Sequence, residues 1–170
     1  MPQLSLHTPL GEVTVFEEEG AIVALEWGRG CDPSETPLLR RAASALHAYF
    51  DGERFDFDLP LAPVGTPHQR RVWAALRRIP AGETRSYLDI AREIGSAPRA
   101  VGQANGANPI PILIPCHRVV AADGSLGGYS GGEGPPTKRY LLDLETRPRN
   151  TQPPNTQPLD TEALGQGTPR

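Results

Sequence analysis

Pro115, Cys116, His117 and Arg118 place a thiol beside an imidazole and a guanidinium. The apolar, proline-punctuated run "NPIPILI", starting at Asn108, leads into them. The nucleophilic form of cysteine is the thiolate, and nearby positive charge favours it. This setting therefore reads as a reactive cysteine, with a small buried hydrophobe as the competing reading. Neighbouring side chains on an extended segment point apart, so no direct contact between Cys116 and His117 is expected, although a water could bridge them. An imidazole base also needs a partner that fixes its tautomer, commonly a carboxylate. Glu145 fits that part by its chemistry, although not by its spacing. A cysteine hydrolase would instead need a remote histidine, and His7, His47 and His68 lie in no catalytic-looking context.

Two other stretches bear on chemistry. Arg99 leads a run of small residues, Ala100, Val101, Gly102, Gln103, Ala104, Asn105 and Gly106. Such a face permits close backbone approach and offers little base-reading chemistry. It suits a narrow groove without sequence readout, or equally a helix packed tightly on its neighbour. "DGSLGGYSGGEGPP" combines a glycine-rich loop with one aromatic face, Tyr129. It is not a phosphate-cradling G-x-x-x-x-G-K-[ST] loop, and an irregular surface loop is the plainer reading.

The elements that must position these residues follow from periodicity and punctuation. "LSLHT", "GEVTVFEEEG" and "AIVALEWG" predict short strands with turns at Pro9–Gly11 and Gly20. A helix follows, with Ser34 as N-cap, Pro37 in its first turn, and Leu38, Leu39, Ala42, Leu46, Tyr49 and Phe50 at helical spacing. "RFDFDL" alternates and predicts one more strand. "PLAPVGTP" reads as a linker. Beyond it, Val72, Trp73, Leu76 and Ile79 share one helical face. Ser86 N-caps a short helix closed by Gly95, and a second short helix follows a tight turn, in the manner of a helix-turn-helix. "PPTKRYLLDLE" predicts a last helix with Pro at its start. The expected fold class is α/β, with a small N-terminal α/β domain of antiparallel strands over 1–62. A mostly helical domain containing the helix-turn-helix follows over 63–147. Residues 148–170 repeat "NTQP", hold few large apolar side chains and predict a disordered tail.

The 170-residue composition excludes several classes. No apolar stretch reaches roughly 18 residues, so no membrane span is expected. The N-terminus lacks a basic region followed by an apolar one, which argues against a secretory signal. Two cysteines, Cys31 and Cys116, are too few for a disulfide framework, and a reducing, cytoplasmic setting is the simpler expectation. There is no C-x-x-C and the four histidines are scattered, so neither zinc nor any other metal is expected. The net charge of −3 conceals an asymmetry. Residues 1–65 hold 4 basic and 11 acidic side chains, whereas 66–147 hold 11 basic and 7 acidic. Only the second block could face a polyanion, although arginines that merely solvate helices would look the same.

"GETRSY", "RAVGQANGANPIPILIPCHRVV" and "GSLGGYSGG" stand in the order found in O6-alkylguanine-DNA alkyltransferases, also called methylated-DNA–protein-cysteine methyltransferases. Residues 66–147 resemble that family closely and 1–62 only loosely. The resemblance implies a cofactor-free, single-use repair protein, a monomer that binds duplex DNA through the minor groove. It would flip an alkylated guanine, and O4-alkylthymine, out of the stack and move the alkyl group to its own cysteine. It further implies that Cys116 accepts the alkyl group, that His117 takes the thiol proton through a water, and that Glu145 orients His117. Arg99 would fill the vacated stack, with Ala100, Gly102, Gln103 and Arg118 also on the DNA side. Tyr87 would crowd the phosphate backbone and assist flipping, and Asn108 would act as a hinge. Val119, Tyr129, Ser130 and Gly131 would line the base pocket, and the loop glycines Gly127, Gly128, Gly131 and Gly132 would leave open volume beside the O6 substituent. His68 stands where relatives often carry phenylalanine, which implies a packing change. The alternative is a helix-turn-helix lesion-binding or regulatory protein without chemistry.

Overall fold

The computed structural model describes residues 1–31 and 33–147; the tail expectation over 148–170 lies outside them. β1 (Gln3–Thr8), β2 (Gly11–Glu18) and β3 (Ala21–Trp27) form an antiparallel meander in the order β1-β2-β3. Glu19 and Gly20, both at positive φ, make the two-residue turn between β2 and β3, the backbone that matches strand twist in tight hairpins. Val13, Val15, Ile22 and Leu25 bury against Leu39, Ala42 and Leu46 of α1 (Pro37–Phe50). The helix starts at Thr36 and not at Ser34, because Pro37 occupies its first position and the Thr36 hydroxyl accepts from Leu39 N at 3.1 Å. Ser34 N–H instead donates to the Gln3 carbonyl.

"RFDFDL" is not a strand. Phe55 and Leu59 are buried and the aspartates exposed, so the alternation is real, but the segment joins neither of the two sheets. A single bridge joins Ile22 to Leu61, with Ile22 N–H donating to the Pro60 carbonyl and Ala62 N–H to the Ile22 carbonyl. Period-two burial reports extended backbone, while a strand also needs a ladder. Phe50, Phe55 and Phe57 surround the Tyr49 ring, with centroids 5.2, 5.4 and 5.6 Å away.

The second half is helical. α2 (Pro67–Arg77) opens on a capping box of Thr66 and Gln69, and α3 (Tyr87–Ile94) on one of Ser86 and Asp89. Gly95, at φ 68°, closes α3, and α4 (Pro98–Gly106) follows after a short turn. Trp73 of α2 donates through its indole N–H to the Ala104 carbonyl at 2.8 Å, seating α4 on α2. His68 takes a polar role here, its Nε2 lying 2.8 Å from the Ser96 hydroxyl. β4 (Arg85–Ser86) and β5 (Val119–Val120) pair in parallel, fixing the chain just past Cys116 to the start of α3. α5 (Pro135–Thr146) ends the described residues. Among them, no helix is long and apolar enough to cross a membrane. No group of three or more His, Cys, Asp or Glu among them could hold a metal.

Candidate active site

Cys116 lies where the buried run Ile110–Val120 turns over. The run bends tightly, because Ile112 sits at φ 73°, a region a β-branched residue rarely enters. Asn108 brackets the bend: its Nδ2 donates to the Ile114 carbonyl and its Oδ1 accepts from Ile110 N–H, both at 2.9 Å. Leu25 N–H on β3 donates to the Pro109 carbonyl, so the sheet also holds this loop. Asn105 of α4 donates to the Cys116 carbonyl at 3.2 Å.

Residues 116–118 are not extended. They form a 3-10 turn after Pro115, whose ψ of 66° leaves the strand region. The turn sends His117 and Arg118 inward, away from solvent, and onto α5. His117 Nε2 lies 2.7 Å from Glu145 Oε2. Arg118 forks onto the same carboxylate, Nε to Oε1 at 2.8 Å and NH2 to Oε2 at 2.9 Å, while NH1 donates to the Ile79 carbonyl at 2.7 Å. Arg118 is therefore no DNA contact. It is 5% exposed and its donors are committed to a buried carboxylate and a carbonyl; a bidentate pair of this kind is among the stronger charge-assisted bonds.

Electrostatics assign the protons. Burial alone would raise the Glu145 carboxyl, but hydrogen bonds from His117 and Arg118 overcome it and hold it at about 2. Burial depresses His117 further than Glu145 supports it, so the imidazole rests neutral. With Nε2–H donating to an ionised carboxylate, the lone pair falls on Nδ1, which is buried with no protein partner. Burial pushes the Cys116 thiol up, more than the Asn108 bond and the Lys138 charge pull it down. The cationic neighbours thus do not give a resting thiolate as the local sequence suggests: one is neutral and the other is spent on Glu145.

Above the thiol opens a cavity of about 800 Å³. Tyr87, Gly102, Asn108, Tyr129, Ser130 and Gly131 line it together with Cys116. Val119 does not line it. That residue is fully buried, and its carbonyl accepts from Lys138 Nζ at 2.7 Å. Lys138 also donates to the Leu126 and Gly128 carbonyls, clamping the glycine-rich loop from beneath, and burial brings its pKa down to about 8. The Tyr129 hydroxyl is buried beside Cys116; burial, then the Cys116 charge, pushes its pKa up. The glycines differ. A Cβ on Gly128 would meet nothing within 4 Å, whereas one on Gly131 would lie 2.6 Å from Trp27 Nε1 and 3.0 Å from Tyr129 Cε1. Open volume in the cavity therefore lies beside Gly128 and not beside Gly131.

Arg99, exposed at the start of α4, lines a shallow surface hollow with Tyr87, Gly102 and Gln103. Ala100 lies half-buried beside them. Trp27, Tyr49, Asn105 and Lys138 belong to the site or its supports and carry no local motif. Lys138 had one available signal, a lysine on an otherwise amphipathic helix that also carries Glu145.

Two family models cover the chain: "6-O-methylguanine DNA methyltransferase, ribonuclease-like domain" over residues 4–63 and "6-O-methylguanine DNA methyltransferase, DNA binding domain" over 67–147. The chain belongs to the 6-O-methylguanine DNA methyltransferase family. Among its relatives is the methylated-DNA–protein-cysteine methyltransferase of Mycobacterium bovis, 57% identical over 150 residues, which span 83% of this chain and 90% of that one. The constitutive enzyme of that name from Bacillus subtilis is 47% identical over 152 residues, 82% and 92% of the two chains. Among solved structures, Mycobacterium tuberculosis OGT in complex with DNA superposes with a TM-score of 0.79 at 43% identity, covering 86% of this chain and 93% of that one.

Proposed function

We propose that this protein binds duplex DNA through the minor groove as a monomer, extrudes an O6-alkylguanine or O4-alkylthymine, and transfers the alkyl group irreversibly to Cys116. One observation carries the reading: a buried thiol at the floor of a base-sized cavity, next to an imidazole whose free nitrogen is set by an ionised carboxylate. Residues 1–62 form the supporting domain and 63–147 the DNA-binding and catalytic one.

In the transfer, the Sγ–H proton passes through a water to His117 Nδ1. Sγ then attacks the alkyl carbon, the carbon–O6 bond breaks, and its electron pair stays on guanine. The guanine takes up one proton, so the products are a cysteine thioether and an unmodified base. Buried surroundings and a positioned donor favour this displacement more than water does. Tyr129 and the Ser130 backbone are placed to meet the departing O6. A stacked base hides O6, so the base must leave the helix. The two short helices act as a helix-turn-helix whose second member, α4, presents Arg99, Ala100, Gly102 and Gln103 to the groove. Arg99 fills the vacated stack and Tyr87 crowds the backbone phosphate; small side chains between them leave the backbone free to approach without reading sequence.

The test is mass analysis after incubation with duplex containing O6-methylguanine. The Cys116 peptide gains one methyl in place of hydrogen, and uptake stops at one equivalent. A protein that binds the lesion and gains no mass would be a lesion-binding module, and continued turnover would mean a hydrolase.

A further inference from the structure

We propose that Tyr49, on α1 of the N-terminal half, is a positioning residue of the thiol-activating relay: its hydroxyl, donated to Glu145, tempers the pull of that carboxylate on the His117 proton. The proposal rests on the reading above, in which His117 receives the thiol proton.

Tyr49 lies 96 residues from Glu145 in sequence, yet its hydroxyl reaches Oε2 at 2.6 Å in a fully buried setting. Oε2 thereby accepts from three groups, Tyr49, His117 and Arg118, while Oε1 accepts from Arg118 alone. The donor is permanent, since burial, then the Glu145 charge, raise the phenol well above its ordinary value. Ring packing alone does not account for the residue. Phe50, Phe55 and Phe57 already make an apolar cage in which a phenylalanine would fit, and burying a hydroxyl there costs free energy unless it is hydrogen-bonded. That partner is the carboxylate that sets the His117 tautomer.

The charged and titratable groups around the relay are Tyr49 from α1, Cys116 and Arg118 from the turn, Tyr129 from the loop, and Lys138 and Glu145 from α5. Each donor on Oε2 disperses its negative charge and weakens its support of a cationic imidazole. Removing the Tyr49 hydroxyl concentrates that charge, which favours the charged form of His117 and raises its pKa. Neutral His117 is the base, so transfer fails as pH falls through that pKa. In Tyr49→Phe the acid limb therefore moves to higher pH.

The experiment follows single-turnover methyl transfer to Cys116 against pH with saturating methylated duplex. It uses the parent, Tyr49→Phe, a 3,5-difluorotyrosine at 49, and Phe50→Leu. Tyr49→Phe shifts the acid limb upward by about half a pH unit or more. The fluorinated phenol, a stronger donor with the same ring, shifts it downward. Phe50→Leu, which loosens the same cage without touching a hydrogen bond, lowers thermal stability and leaves the limb in place. An unmoved limb in both Tyr49 variants, or an equal shift in Phe50→Leu, overturns the proposal. A parent that takes up no methyl would instead refute the transfer reading.

Discussion

Positions 1–65 carry a net charge of −7, 4 basic against 11 acidic, while 66–147 carry +4, 11 basic against 7 acidic. The acidic half holds the sheet and α1, and the basic half holds every residue of the cysteine motif. The acidic half lines the cavity with Leu25, Glu26 and Trp27, and three of its uncharged groups hold the site from within. The Tyr49 hydroxyl meets the relay carboxylate, Leu25 N–H meets the Pro109 carbonyl, and the Trp27 indole backs Gly131. Its net charge is the wrong sign for a phosphate surface, and its contacts with Glu145, the Pro109 carbonyl and Gly131 come from uncharged groups. A domain can therefore shape a reaction without carrying any of its motif.

The broadest break between the halves should show in the cysteines. Cys116→Ser abolishes methyl transfer while keeping DNA binding, and Cys31→Ser, altering an exposed thiol of the acidic half, leaves the rate unchanged. Mass analysis of both variants after exposure to methylated duplex decides it; alkylation appearing at Cys31 would erase the contrast. Next comes the point where the halves meet. Glu145→Gln slows transfer by about 10²-fold or more, the range for a disrupted general base, as read from single-turnover rates.

The same residue links stability to acid. The Glu145 carboxyl sits at about 2 when folded, below the ordinary value of roughly 4.3 in an unfolded chain. Its stabilisation is complete above that ordinary value and is lost as pH falls toward 2. Thermal melts between pH 5 and pH 2, all approximate settings for this linkage, should show a steeper decline for the parent than for Glu145→Gln. Equal slopes would mean the carboxylate is not held as described.

A smaller effect belongs to the basic half alone. Arg99→Ala should slow repair of duplex by roughly tenfold, since extrusion costs a few kcal/mol and only part rests on this side chain. Reaction with the free modified base should be untouched, and equal losses on both substrates would place Arg99 elsewhere. The mildest effect probes the contact between the halves. Gly131→Ala pushes a Cβ against Trp27 and Tyr129 and should slow transfer by about two- to fivefold, a shift worth under ~1 kcal/mol. Gly128→Ala, facing open space, should not change it.

The sequence displays the chemistry where it is written in consecutive residues. Cys116 and His117 stand side by side, and Ser86, Gly95 and Pro135 mark helix ends through local hydrogen-bonding and φ preferences that need no tertiary context. Glu145 is visible as a carboxylate at the end of a helix, but its pairing with His117 depends on how α5 lies across the turn. Arg118 misleads for the same reason. A motif arginine beside a DNA-reading segment invites a phosphate, and only the 3-10 turn shows it pointing inward. Tyr49 reads as one more apolar residue at helical spacing, because nothing local reveals where its hydroxyl ends. "RFDFDL" shows the limit of periodicity: alternation follows from which side faces the core, whereas a strand also needs a place in a sheet, which the segment does not take.

The depth of Cys116 carries a last consequence. The side chain is only 5% exposed, and burial holds its sulfur in the protonated form. Oxidation begins when a thiolate attacks a peroxide oxygen or a disulfide sulfur, a step open to accessible, ionised cysteines and closed to a buried, protonated thiol. On the proposed chemistry each molecule acts once and is never regenerated, so any oxidation before a lesion arrives would waste it entirely. On that chemistry, the burial that keeps the sulfur protonated also guards the unused protein against oxidation.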